Sequence, residues 1–279
     1  MSSLSLVLAL SGAVCYGLSD FIGGLGARRT SPWAVALVAA FSGAVLVLVA
    51  ALFVDGSPDS AALSWALLAG VGNGFGTAFL YRGLGRGRMG VVAPISAVGA
   101  AVVPVVAGLA GGERPGSVVW LGILTALPGI WLVSRTPDLE PSPEHSGVGD
   151  GVLAGLGFGT LFASLGQIPE SAGLLPLALN QAVAGVVIIA VASLLRVGWW
   201  PRERAALAGL GCGALAVAAT GSFLVATQHG ELTVTAVLAS LYPAFTILLA
   251  ASVLHERIHA TQAVGLALCG LAVVLVATG

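Results

Sequence analysis

The sequence predicts an all-α integral membrane protein of ten transmembrane helices, arranged as two inverted five-helix repeats. Three observations predict it: an apolar composition, ten apolar runs of membrane length, and an internal duplication. Of 279 residues, 57% are hydrophobic and 8% charged, and the mean hydropathy is +1.02. A soluble domain carries ~25% charged residues to hydrate its surface. This chain is solvated by lipid instead. Its 11 basic and 12 acidic residues give no basic field able to neutralise a run of phosphates, which argues against nucleic acid as a partner. Cys15, Cys212 and Cys269 lie far apart inside apolar runs without CxxC spacing, so they read as packing residues.

The apolar runs fall near residues 4–26, 33–54, 62–81, 89–110, 117–134, 148–167, 173–195, 205–227, 232–254 and 260–278. Each approaches the ~20 residues that cross ~30 Å of hydrocarbon at ~1.5 Å per residue. Lipid offers no hydrogen-bond partner, so each must be helical. No basic residue precedes Arg28, so the first run lacks the charged start of a cleavable signal peptide and reads as a retained helix. The one long polar stretch runs from Arg135 to Asp150. It divides the chain into a first repeat (1–135), a linker (136–147) and a second repeat (148–279).

A single ungapped shift of 143 residues relates the halves. It pairs Gly12 with Gly155, Leu18 with Leu161, Gly23 with Gly166, Thr77 with Thr220, Gly87 with Gly230, Ala93 with Ala236 and Gly122 with Gly265, and brings Gly112-Glu113-Arg114 onto His255-Glu256-Arg257. Five spans per half is an odd number, so the second half enters the membrane from the opposite side. Inverted repeats of this kind build alternating-access carriers, with the site where the repeats meet. Of the 11 arginines, ten fall in loops on one face and only Arg114 on the other. Since short cytoplasmic loops collect positive charge, this count places both termini outside.

Glycines recur at four-residue spacing: Gly147, Gly151, Gly155 and Gly159 in span six, Gly70 and Gly74 in span three, Gly209 and Gly213 in span eight. Such ladders let helices approach closely in lipid. Gly85 to Gly90 spells GxGxxG, but it joins two membrane helices and follows no strand, so no dinucleotide site is expected.

The chain resembles the EamA-type members of the drug/metabolite transporter superfamily. The resemblance is carried by Gly17-Leu18-Ser19-Asp20-Phe21, by Val91-Val92-Ala93-Pro94-Ile95, by Gly112-Glu113-Arg114, and by Ala239-Ser240-Leu241-Tyr242-Pro243 followed by His255-Glu256-Arg257. It implies a ten-helix carrier of small organic solutes in the plasma membrane, with the cavity among helices one, three, four, six, eight and nine. The small multidrug relatives use a glutamate in their first helix, which is absent here. The resemblance also implies cytosolic termini, opposite to the arginine count.

Asp20 is the only acid well inside a span, about five residues or ~7.5 Å from the middle of helix one. A charged carboxylate in low dielectric is costly, which suits it to hold a proton or a cationic solute in one state and release it in another. The competing reading pairs it with Arg28 or Arg29 near the boundary. The other candidates for solute contact are Tyr16, Asn73, Ser96, Thr220, Ser240 and Tyr242, with Ser19, Thr77, Gln181 and Ser222 also polar inside spans. Hydroxyls and amides can orient a small solute, or equally bond a neighbouring helix. Pro104 and Pro243 each remove a backbone hydrogen bond within a span and are hinge candidates. Glu113 with Arg114, and Glu256 with Arg257, sit at helix ends, where a carboxylate and a guanidinium bond each other or nearby helix termini.

His255-Glu256-Arg257-Ile258-His259 matches HExxH, which on a helix gives two zinc ligands and a base. No third ligand is evident and span nine ends by Leu254. His145 and His229 lie in loops. No metal, cofactor or nucleotide motif is expected. The partners expected are a small-molecule solute, lipid and protons, with the chain a monomer or homodimer. The leading reading is a secondary transporter rather than an enzyme. The alternatives are an intramembrane zinc hydrolase using His255, Glu256 and His259, and a passive channel or lipid-handling protein.

Overall fold

The computed structural model describes residues 2–85, 89–134, 147–253, 255 and 257–278, without the side chains of 84, 85, 89–91, 93 and 94. Glu256, Arg86, Arg88, Arg135, His145 and Gly87 therefore lie outside the described residues. The helices are α1 (Ser3–Ala27), α2 (Pro32–Ala51), α3 (Ser60–Gly85), α4 (Met89–Ala110), α5 (Ser117–Ser134), α6 (Val148–Leu165), α7 (Leu175–Leu194), α8 (Ala208–Gln228), α9 (Leu232–Ala239), α10 (Tyr242–Val253) and α11 (Ala260–Thr278). Among the described residues, nine spans are each long and apolar enough to cross a membrane, α9 and α10 together forming one of them. At 22 residues, or ~33 Å, α4 supplies the tenth. This is a multi-pass membrane protein.

The packing follows the inverted duplication. The first helix of each half is inserted into the other half: α1 packs against α8, α9 and α10, and α6 packs against α3 and α4. At the centre α2 lies against α7, and at the rim α5 lies against α11. Each of these contacts maps onto another, or onto itself, when the halves are exchanged. The glycine ladders make the close approaches. Gly155 faces Gly99, Gly151 faces Ile95 and Gly159 faces Val103 on α4, while Gly157 meets Gly72 and Gly76 on α3. A Cβ on Gly155 would stand 3.0 Å from the Gly99 Cα, so the helices touch backbone to backbone. Gly70 and Gly74 pack on Val183 and Val187 of α7, and Gly209 and Gly213 on the Val35 to Gly43 stretch of α2. Gly147 is the exception, standing at φ +70° as the N-cap of α6. Outward, α2, α5, α7 and α11 present exposed Val45, Leu124, Val186 and Val274 to the lipid.

Span nine differs from the expectation of one helix with Pro243 inside it. It is broken: α9 ends at Ala239, Ser240 and Leu241 form a turn, and Pro243 sits in the first turn of α10. Proline is tolerated there because its missing N–H would have no intrahelical partner. Pro104, by contrast, is buried within an unbroken α4.

The described arginines other than Arg114 flank one set of helix ends: Arg28 and Arg29 after α1, Arg82 in the last turn of α3, Arg196 after α7, Arg202 and Arg204 before α8, and Arg257 before α11. A tag on either terminus should thus react with a membrane-impermeant reagent in intact cells. Protection of both tags would reverse the orientation.

Candidate functional site

A cavity of about 690 Å³, counted with the solvent at its mouth, lies where the two halves meet. The first half lines it through Tyr16, Ser19 and Asp20 of α1, Ala36, Ala39 and Ala40 of α2, and Asn73, Thr77, Leu80 and Tyr81 of α3. The second half contributes Phe158 and Phe162 of α6, Gln181, Ala184 and Ile188 of α7, Ala216 of α8 and Tyr242 of α10. The lining runs from Phe162 in the last turn of α6 and Gln181, about one turn past the middle of α7, to Ala36 and Tyr81, about one turn from the arginine-flanked helix ends. Most of the lining therefore lies between mid-membrane and those arginines.

Toward the other face the core is closed. Tyr16 meets Phe162 edge-on at 5.7 Å and Tyr242 at 6.1 Å, and Phe162 packs on Phe223 at 4.6 Å. Beyond them Leu165, Ile168 and Leu232 are buried in the same cluster. Hydrogen bonds tie this end together: Ser5 Oγ of α1 donates to the Ala226 carbonyl of α8 at 2.9 Å, and the Ser57 amide of the loop before α3 to the Ser171 carbonyl at 2.9 Å. The Glu113 carboxylate accepts from the amides of Leu232 and Thr233 at 2.6 and 2.9 Å, capping α9 across the repeat boundary. Its bonds thus go to a helix of the other half, and Arg114, its sequence neighbour, is exposed. Glu256 lies outside the described residues, and Arg257 is exposed just before α11.

Among the described residues Asp20 makes no hydrogen bond and no ion pair. It stands within electrostatic reach of Tyr16, Tyr81, Tyr242 and Cys212. Pairing with Arg28 or Arg29 does not occur. Across the cavity, Asn73 Nδ2 donates to Gln181 Oε1 at 2.9 Å, more weakly to Asn180 Oδ1 at 3.4 Å, and Asn73 Oδ1 accepts from Thr77 at 3.3 Å. Of the sequence candidates, then, Asp20, Tyr16, Asn73 and Tyr242 line one cavity. Ser96, Thr220 and Ser240 are buried beside it but do not line it. Thr220 back-bonds to the Ala216 carbonyl at 2.8 Å.

Three features escaped the sequence reading. Tyr81 and the two phenylalanines of α6 line the cavity, and Asn180 joins the amide cluster. Arg82, stacked 4.4 Å over Phe79, pairs with Asp150 at the start of α6, tying the two halves at the arginine-flanked face. The signal for Asp150 was its position in the first turn of a helix, where a carboxylate is stabilised.

The HExxH segment does not form the helical zinc motif. His255 has φ +56°, residues 257–259 are not helical, and α11 starts only at Ala260. Among the described residues no cluster of metal-ligating side chains occurs.

The model of the EamA-like transporter family matches twice, over residues 3–135 and 145–278. The chain belongs to the EamA-like transporter family. It is a member of the drug/metabolite transporter superfamily, all-helical and built from two repeats. A solved structure titled only "Crystal structure of protein" matches with a TM-score of 0.72 at 16% identity, covering 99% of this EamA chain and 96% of its own. That likeness concerns the fold. No curated protein sequence matches.

Proposed function

We propose that this EamA-family protein is a secondary carrier that moves a small polar or amphipathic solute across the plasma membrane. Its inverted repeats would rock about the cavity and expose it to each face in turn, driven by a solute or proton gradient. One observation carries the reading: the cavity is lined by helices of both halves, closed on one side by the Tyr16, Phe162, Phe223 and Tyr242 cluster, and holds, among the described residues, a single carboxylate. A site at a repeat interface near mid-membrane is the arrangement that alternating access requires. Asp20 would carry charge between the states, while Asn73, Thr77 and Gln181 orient the solute. Pro104 and the break ahead of Pro243 would serve as hinges.

In proteoliposomes, solute flux should saturate with concentration and an unlabelled solute on the far side should drive counterflow. Linear, non-exchanging flux would make the protein a channel. Chelator-sensitive peptide hydrolysis would make it an enzyme.

A further inference from the structure

We infer that the cavity takes a small organic monocation whose ammonium group meets Asp20 and whose neutral end carries a hydrogen-bond acceptor for Gln181. The transport of that solute rests on the carrier reading above; its chemistry rests on the walls of the cavity.

Among the described residues lining the cavity, Asp20 is the sole carboxylate, and no arginine or histidine joins it. The chain contains no lysine. An anionic solute would bring a second negative charge into an enclosure of apolar side chains, aromatic rings and neutral polar groups, with no cation to compensate it. A zwitterion would satisfy Asp20 but leave its own carboxylate without a counter-charge. A cation meets neither obstacle. Asp20 spends its charge on no arginine and accepts no hydrogen bond among the described residues, so its oxygens remain for a donor from the solute. Tyr16, Tyr81, Phe158, Phe162 and Tyr242 add an aromatic wall, the kind of surface that holds organic cations.

The opposite wall sets the second requirement. Gln181 uses its Oε1 to accept from Asn73 Nδ2, and its Nε2 donates to no other group among the described residues. Behind it Asn180, fully buried, has an Nδ2 without an acceptor. The amide cluster at this wall is thus left with donors, not acceptors, to spare: Gln181 lines the cavity and Asn180 lies buried next to it in the chain. A carbonyl or hydroxyl oxygen on the solute would complete the network, since a buried donor left unpaired is destabilising.

Thermal stabilisation of the purified full-length protein by a matched series tests this at neutral pH. Leucinamide carries an ammonium and an amide, 3-methylbutylamine only the ammonium, N-acetyl-leucinamide only amides, leucine both charges, and N-acetyl-leucine a carboxylate. Leucinamide should stabilise at a concentration about tenfold or more below that needed for N-acetyl-leucinamide, leucine or N-acetyl-leucine, the factor expected of a charge-assisted hydrogen bond. In Gln181→Met, checked for monodispersity, the advantage of leucinamide over 3-methylbutylamine should narrow. Equal or stronger stabilisation by the neutral or anionic compounds, or none by any compound, overturns the inference. Counterflow with the same compounds separates the two claims. Cation-selective binding without counterflow upholds the site and removes the carrier, whereas counterflow without cation preference does the reverse.

Discussion

Asp20→Asn is expected to lower gradient-coupled flux by about tenfold to a hundredfold, and to flatten its dependence on pH, while leaving the helical fold in place. The size follows from the loss of one charge-assisted hydrogen bond in a poorly solvated site, worth ~1.5–3 kcal/mol, which converts at ~1.4 kcal/mol per tenfold. The fold should survive because Asp20 holds no partner among the described residues: no helix end or arginine is orphaned when the charge goes. Asparagine keeps the shape and one acceptor oxygen, so the variant isolates the charge. Reconstituted wild-type and variant protein, compared at two pH values, give the measurement. Wild-type flux with unchanged pH response would assign Asp20 a structural place on α1, beside Ser19, whose hydroxyl already bonds the Cys212 carbonyl at 3.2 Å. Loss of the variant from the membrane fraction would instead mean that Asp20 supports packing.

What the sequence disclosed follows from what lipid enforces. A span in hydrocarbon must be apolar, helical and about 20 residues long, so the ten runs could be counted without knowing any contact. The 143-residue shift was visible because a close helix approach admits only small residues, which kept Gly12 in register with Gly155. The same shift anticipated that α1 and α6 would hold equivalent places in the two halves. Contacts between distant residues were not visible. Nothing near Glu113 in the chain points to Leu232, 119 residues on, so the sequence offered Arg114 or some nearby helix terminus as the partner without naming which. The break in span nine was half-legible, since Pro243 is compatible with either a kink or a new helix start. Among polar side chains, periodicity told which lay within spans but not which faced the cavity. Asn73 and Thr220, both amid apolar residues, read alike, yet one lines the space and the other folds back on its own helix.

Glu113→Ala is expected to destabilise the protein by about 2–3 kcal/mol, lowering the melting temperature of the purified protein by several degrees. Its two carboxylate oxygens each accept one amide from the first turn of α9. Removal of a capping side chain costs ~0.5–2 kcal/mol, and hydrogen bonds to a charged group lie at ~1.5–3 kcal/mol each before solvent replaces part of the loss. The half-buried position of Glu113 allows water to recover some of it, which keeps the sum below the total for two full bonds. The site is more than a local cap, because α9 belongs to the second repeat while Glu113 follows α4 of the first. It fastens the halves at the face where the aromatic cluster closes the cavity, so its loss should also make Cys substituted at Leu232 react faster with an aqueous thiol reagent. Glu113→Gln retains one acceptor oxygen and should fall between wild type and alanine. A melting temperature unchanged in Glu113→Ala would mean that α9 finds other acceptors for its first amides, and the carboxylate would then play no part in holding the two repeats together.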